Sequence, residues 1–416
     1  LNSAAYIDTI TSPPNYESIG LRAAPGKGLI KVIRQRILSV VDIALRNRRA
    51  LVAAVLLPVV VACSDGSDAP SVADQSPAPF AELYEQGIIR YLGEYTPMQS
   101  QQDGDVITHS FGAGDGPLCG AGAPYSMATR DQGSEDLMIF LEGGGACWSD
   151  FCIYVDEVPP GGIPQVGILD PTRENNPVKD WNQVYVSNCD GSLLAGDIDT
   201  DTDGDGRNDR FQRGLHNLSA ALDVAVRTFP APRRILLAGQ SAGALGSIFA
   251  LPLVRYLYPG VPIDVLNDSG VGVLKPGQPQ FLRKIMAEWS MDAFIPASCP
   301  NCIPADGHLT DYLTWQLDQD PDVRRGLLSY SRDFNLANLY LEIGGAAFEQ
   351  ALLAEMQQQE DAHPDRNHSW IVAGSGHTFV ELEPDRTAGG VPLMDWLGAM
   401  LSGSDNWVSV SDVVDD

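Results

Sequence analysis

Basic residues are scarce in this chain, cysteine is sparse, and no repeat recurs along it. Twenty-seven Lys and Arg stand against 54 Asp and Glu, a formal net charge of −27 over 416 residues. A nucleic-acid partner needs a basic face for its phosphate backbone, so that class is excluded, and charge-driven binding to an anionic membrane surface is disfavoured with it. Seven Cys are too few for a fold held by disulfides alone, and with 44% hydrophobic residues the chain can build a sizeable core instead. The 41 Gly and 29 Pro imply many turns, which argues against a long helical bundle.

The first 62 residues run against the overall charge. Eight Lys and Arg, among them Arg46, Arg48 and Arg49, face three acids, a local +5 that leaves −32 for the rest. The basic cluster leads into an uncharged run, Ala50 to Ala62, too short for a ~20-residue spanning helix but of the length of a signal-peptide core. That run ends Val60-Val61-Ala62-Cys63, which resembles a bacterial lipobox, and a polar stretch from Ser64 to Pro79 follows. Residues 1–62 therefore read as a leader, Cys63 as the lipid-bearing residue, 63–79 as a tether, 80–403 as one catalytic domain and 404–416 as an acidic tail. Export as a membrane-anchored lipoprotein, periplasmic or at the cell surface, is expected, with the lipid as the contact to a membrane. The six remaining Cys are an even number, as disulfides in an exported chain require. Cys147 with Cys152 and Cys299 with Cys302 would close short loops, and Cys119 with Cys189 would tie a hairpin to a neighbouring strand. The CxxC at Cys299 lacks the second pair that a zinc site needs.

From Asp136 onward, short β-branched runs alternate with amphipathic stretches, the pattern of a mostly parallel central sheet with helices on both faces. Strands are expected at Leu137–Leu141, Val184–Val186, Ile235–Ala238, Ile263–Leu266, Leu327–Tyr330 and Trp370–Val372, after a hairpin over Asp105–Arg130. Leu218, Ala221, Leu222 and Ala225 keep helical spacing. Ala242 to Leu257 is apolar nearly all round, as a helix buried under a sheet is.

The strand Ile235–Ala238 runs straight into Gly239-Gln240-Ser241-Ala242-Gly243 and then into a helix, the setting that a G-x-S-x-G nucleophile elbow requires. The glycines let the chain turn sharply and lift the Ser241 hydroxyl above the sheet, while the helix N-terminus offers positive potential to a developing oxyanion. A second glycine run, Glu142-Gly143-Gly144-Gly145, follows the strand Leu137–Leu141, where lipases and esterases carry an oxyanion loop. Gly144, Gly145 and Ala242 are thus the candidate backbone donors; a plain turn is the bland alternative. The base should follow the serine in chain order. Of His308, His363, His368 and His377, only the last sits in a glycine-rich loop just past the final strand, and the other three read as solvated. For the orienting acid, Asp333 directly follows the strand Leu327–Tyr330, whereas Asp311, Asp318, Asp320 and Asp322 read as a solvated helix face.

Together these segments resemble the pectin acetylesterase family, which includes plant pectin acetylesterases and the animal carboxylesterase Notum. The resemblance rests on Phe140-Leu141-Glu142-Gly143-Gly144-Gly145 with the nearby Cys147-Trp148, on Phe211-Gln212-Arg213-Gly214, on the elbow itself and on Asn267-Asp268-Ser269-Gly270. It spans residues 90 to 400 in round numbers. It implies an α/β-hydrolase-like fold and the triad Ser241, Asp333 and His377, and it sets Asp268 at a position that looks structural. The chain departs from the family at Ala244-Leu245, where many members carry another Gly. Leu274 to Pro304 follows no recognisable pattern and is the expected substrate cap.

The expected activity is a serine carboxylesterase removing small acyl groups, acetyl first on family analogy, from an acylated glycan or small ester, with no organic cofactor. Longer-chain lipid deacylation or polyester hydrolysis is the alternative among esterases. A non-catalytic surface-binding lipoprotein is the alternative outside them, and an intact Ser, Asp, His set weighs against it. One motif stands apart from this chemistry: residues 201–209 fit D-x-D-x-D-G-x-x-D. Carboxylates of Asp201, Asp203, Asp205 and Asp209 could converge on a hard cation while Gly206 permits the turn, as in the first half of an EF-hand loop and in a way that resembles thrombospondin type 3 repeats. Gln212 stands where an EF-hand counted from Asp201 needs Glu, so a structural Ca2+ is expected rather than a full EF-hand, with a solvated acidic loop as the alternative.

Overall fold

The structure, a computed structural model, describes residues 78–413 apart from 113, 115, 159–161 and 303–306. The leader, the lipidation expected at Cys63 and the tether as far as residue 77 lie outside the described residues.

In chain order the elements are α1 (Ala81–Glu85), β1 (Gln99–Asp103), β2 (Val106–Ser110), β3 (Ser126–Arg130), β4 (Asp136–Leu141), β5 (Gly145–Trp148), β6 (Phe151–Tyr154), β7 (Asn182–Val186), β8 (Ile198–Thr200), β9 (Arg210–Gln212), α2 (Gly214–Thr228), β10 (Arg234–Gln240), α3 (Ala242–Leu257) and β11 (Ile263–Asp268). There follow α4 (Pro279–Glu288), α5 (Thr310–Gln319), β12 (Val323–Tyr330), a π-helical turn at Asn335–Tyr340, α6 (Gly345–Ala362), β13 (Asn367–Val372), the short pair β14 (Thr387–Ala388) and β15 (Val391–Pro392), α7 (Leu393–Ser402) and β16 (Val410–Ser411). Ten strands form one sheet in the order β1-β2-β3-β7-β4-β10-β11-β12-β13-β16. The first three pairings, as far as β7, are antiparallel, and every pairing from β7–β4 to β13–β16 is parallel. This is the mostly parallel, α/β-hydrolase-like arrangement expected.

The central strands β4, β10 and β11 are buried on both faces, which is why they read as continuous apolar runs rather than alternating ones. Their side chains nevertheless divide between two cores. Leu137, Ile139 and Leu141 pack with the buried faces of α2 and α3, whereas Met138 and Phe140 pack with Leu393, Trp396 and Leu397 of α7. Parallel strands running side by side set all their C-terminal ends along one edge, where loops are free to carry chemistry. Ser241 follows β10 there, Asp333 follows β12 and His377 follows β13.

All three expected disulfides are present: Cys119–Cys189, Cys147–Cys152 and Cys299–Cys302. The second crosses the β5–β6 hairpin, where Cys147 and Cys152 face each other in register. Beyond residue 403, in the stretch read as an acidic tail, Trp407 is buried and β16 pairs with β13. Among the described residues no helix is long and apolar enough to cross a membrane.

Candidate active site

At the end of β10 the chain reverses into α3 within one residue. Ser241 takes φ 52° and ψ −121°, a conformation that costs a non-glycine residue energy and that persists only where its surroundings over-determine it. Those surroundings are visible. The Ser241 amide donates to the Asp268 carbonyl at 2.7 Å, and a Cβ at Gly243 would lie 2.1 Å from the Leu141 carbonyl oxygen, so only glycine lets α3 start this close to β4.

The three side chains singled out from the sequence form one row. His377 Nε2 lies 2.7 Å from Ser241 Oγ, and His377 Nδ1 lies 2.7 Å from Asp333 Oδ2. Asp333 is fully buried, and its other oxygen accepts the Leu336 amide at 3.0 Å. With both oxygens engaged its carboxylate cannot rotate, which fixes the imidazole plane. The histidine ring keeps partial access to solvent, 19% of its side-chain surface.

Beside Ser241 opens an apolar cavity. Gly145 and Ala242 share its wall with Ser241, and its depth is formed by Trp148, Phe249, Phe281, Ile285, Met286 and Trp289. Four of these six belong to the 274–304 segment, so the stretch without a recognisable pattern supplies the wall of the cavity through α4. The centre of a water-sized sphere can move through about 80 Å³ there, several times the roughly 10–15 Å³ that one water needs. Gly145 reaches the wall at φ 81°, with its Cα against the Ile153 carbonyl. Gly144 is not on the wall: its carbonyl accepts the Val155 amide at 2.7 Å and its Cα abuts the Asn188 carbonyl.

Burial overturns part of the sequence reading of the other candidates. His308 and His368 are buried, not solvated: His308 Nδ1 accepts the Leu274 amide at 2.9 Å, and His368 stands edge-on to Trp407 beside Glu360. His363 is also largely enclosed, 3.1 Å from Asp318. Asp320 is no part of a solvated face either, since it is buried against Arg255 at 2.5 Å. In the Asp-rich loop, between β8 and β9, carboxylate oxygens of Asp201, Asp203 and Asp205 lie within 4.8 Å of one another. Asp209 stays outside that trio, and Thr202 donates to it from its amide and hydroxyl at 3.0 and 2.7 Å.

Sequence reasoning missed a set of half-buried acids behind the row. Burial pushes the Glu142 carboxyl up to about 7, against hydrogen bonds from Tyr185 and the Asn188 amide. Glu381 is likewise pushed up to about 7 by burial, despite the hydrogen bond that Gln240 Nε2 donates to it, with Glu142 and Asp268 adding repulsion. No local pattern marks these residues. Their only signal is adjacency: Glu142 opens the glycine run, Gln240 precedes the serine and Glu381 follows His377 by four positions.

Residues 107–287 match the family model described as Pectinacetylesterase. The chain is similar to Pectin acetylesterase 11 of Arabidopsis thaliana, 26% identical over 212 residues that cover 46% of this chain and 53% of the relative. It is 29% identical over 171 residues to Palmitoleoyl-protein carboxylesterase notum2 of Xenopus laevis, covering 36% and 34%. Pectin acetylesterase 4 of Arabidopsis thaliana is 25% identical over 184 residues, covering 40% and 44%. The chain thus spans about half or less of the length of these curated relatives. The family match takes in the glycine run and Ser241 and ends before Asp333 and His377.

Proposed function

From the match of residues 107–287 to the Pectinacetylesterase family model and the geometry around Ser241, we propose that the chain is a serine carboxylesterase with Ser241 as nucleophile, His377 as general base and acid, and Asp333 as the orienting carboxylate. The observation that carries the reading is the unbroken Asp333, His377, Ser241 row beside a cavity. Ser241 Oγ attacks the ester carbonyl as His377 Nε2 takes its proton, and Asp333 stabilises the imidazolium. The tetrahedral oxyanion is met by backbone amides of Gly145 and Ala242, the two candidate donors on the cavity wall. Collapse expels the alcohol, which receives the proton from His377. Water then repeats the sequence on the acyl-enzyme, giving the carboxylic acid and free Ser241. These steps call on no organic cofactor.

The names of the two plant relatives suggest acetyl as the acyl group and an acylated glycan as the substrate. The cavity favours a second reading, in which the acyl chain is longer. An acetyl methyl is about the size of one water, whereas the space beside Ser241 is several times larger and apolar throughout its depth. Each methylene buried there gains about 0.8 kcal/mol, so kcat/KM on chromogenic esters should rise from acetate towards octanoate. A maximum at acetate would return the assignment to acetyl esters. Export with a lipid on Cys63, and a structural Ca2+ held by Asp201, Asp203 and Asp205, belong to the same proposal.

A further inference from the structure

We propose that Asp268 is a positioning residue for His377, holding the loop that carries the base through two main-chain amides and the Ser269 hydroxyl, and that it acts by hydrogen-bond geometry rather than by charge. The inference rests on the triad reading above.

Asp268 ends β11, and its side chain is fully buried. One oxygen, Oδ2, accepts the amides of Phe379 and Val380 at 2.7 and 2.8 Å, the second and third residues after His377. The other, Oδ1, lies 3.1 Å from Ser269 Oγ, and Ser269 Oγ in turn donates to the His377 carbonyl. The carbonyl of Asp268 accepts the Ser241 amide at 2.7 Å. One residue therefore fastens the nucleophile turn with its main chain and the base loop with its side chain. The neighbours complete the fixture: Asn267 Nδ2 donates to the Ala244 carbonyl of α3 at 2.8 Å, and Ser269 sits at φ 67° with its amide on the Leu328 carbonyl of β12.

The hydrogen-bond count decides between charge and geometry. Ser269 has one hydroxyl proton, and the His377 carbonyl takes it. Oδ1 then faces a hydroxyl oxygen with no proton left to share, an arrangement that a protonated acid satisfies by donating from Oδ1 to Ser269 Oγ. Burial pushes this carboxyl up, to about 6, in the direction of that protonated form. Asparagine supplies the same pattern without charge, its oxygen accepting the two amides and its NH₂ donating to Ser269.

The test is steady-state ester hydrolysis and thermal unfolding of the full chain carrying Asp268→Ala, Asp268→Asn or Ser269→Gly. Asp268→Ala is expected to lower kcat ~100-fold with KM within about threefold, the signature of a displaced catalytic group. Asp268→Asn is expected to recover kcat to within about fivefold of the parent. Ser269→Gly suits a left-handed φ, so it should keep or raise the melting temperature while kcat falls about tenfold. Asp268→Asn falling well beyond fivefold below the parent, or Ser269→Gly at full kcat, overturns the proposal, and both outcomes can be read even if the alanine variant fails to fold. Turnover surviving in Ser241→Ala would instead overturn the triad reading.

Discussion

At the residue scale, Asp333 combines full burial with two accepted hydrogen bonds, one of them from the histidine. Asp333→Asn offers the imidazole an amide that can present the wrong group to Nδ1, so kcat should drop by ~10³–10⁴-fold. Asp311→Asn, on α5, should leave it within about twofold; kinetics of the two variants side by side check the choice of acid, and the reverse pattern would move the assignment to Asp311. Glu142 gives a prediction in pH. Its folded-state pKa stands above the ordinary value of 4.5, so the folded state binds the extra proton, and stability is highest below about 4.5 and is lost as pH rises through about 7. Glu142→Gln removes that loss, gaining up to about 3 kcal/mol at pH 8 and little at pH 4.5. Urea unfolding at the two pH values measures it, and an equal effect at both would mean that ionisation of Glu142 is not what limits stability.

At the element scale, the strands that carry the site were legible because parallel strands buried on both faces must be apolar throughout. Each expected segment lies inside the strand observed, although β12 begins four residues before Leu327 and β10 runs on to Gln240. The elbow was legible because close approach of α3 to β4 excludes any side chain at Gly243. Strand β1 was not, since its five residues are polar and exposed on an antiparallel edge. The burial of His308, His368 and Asp320 is set by partners far away in sequence, and no local window reports it. The acid set around Glu142 and Glu381 forms only when three loops meet at one edge of the sheet. In the β8–β9 loop, three converging carboxylates repel one another unless a cation neutralises them. Millimolar calcium should therefore raise the melting temperature by several degrees over chelator-treated protein, and Asp203→Ala should abolish the difference. Identical melting curves with and without calcium would leave the loop as a solvated one.

At the scale of the whole molecule, the net charge of −27 and the family match over residues 107–287 constrain function from opposite sides. Charge makes a polyanionic substrate slow to approach, while the apolar cavity next to Ser241 favours a neutral ester with a lipophilic acyl part. The family match stops before two of the three residues in the row, so the assignment of the whole site depends on the geometry that unites β10, β12 and β13 at one edge. The most direct measurement is active-site labelling with a serine-directed organophosphonate, followed by peptide mass mapping and by ester hydrolysis of the labelled protein. One adduct on Ser241, loss of turnover in step with its formation, and neither labelling nor turnover in a Ser241→Ala variant that melts at the parental temperature are the predicted results. Turnover that persists in that variant, or an adduct on another serine that tracks the loss of activity, would contradict the assignment.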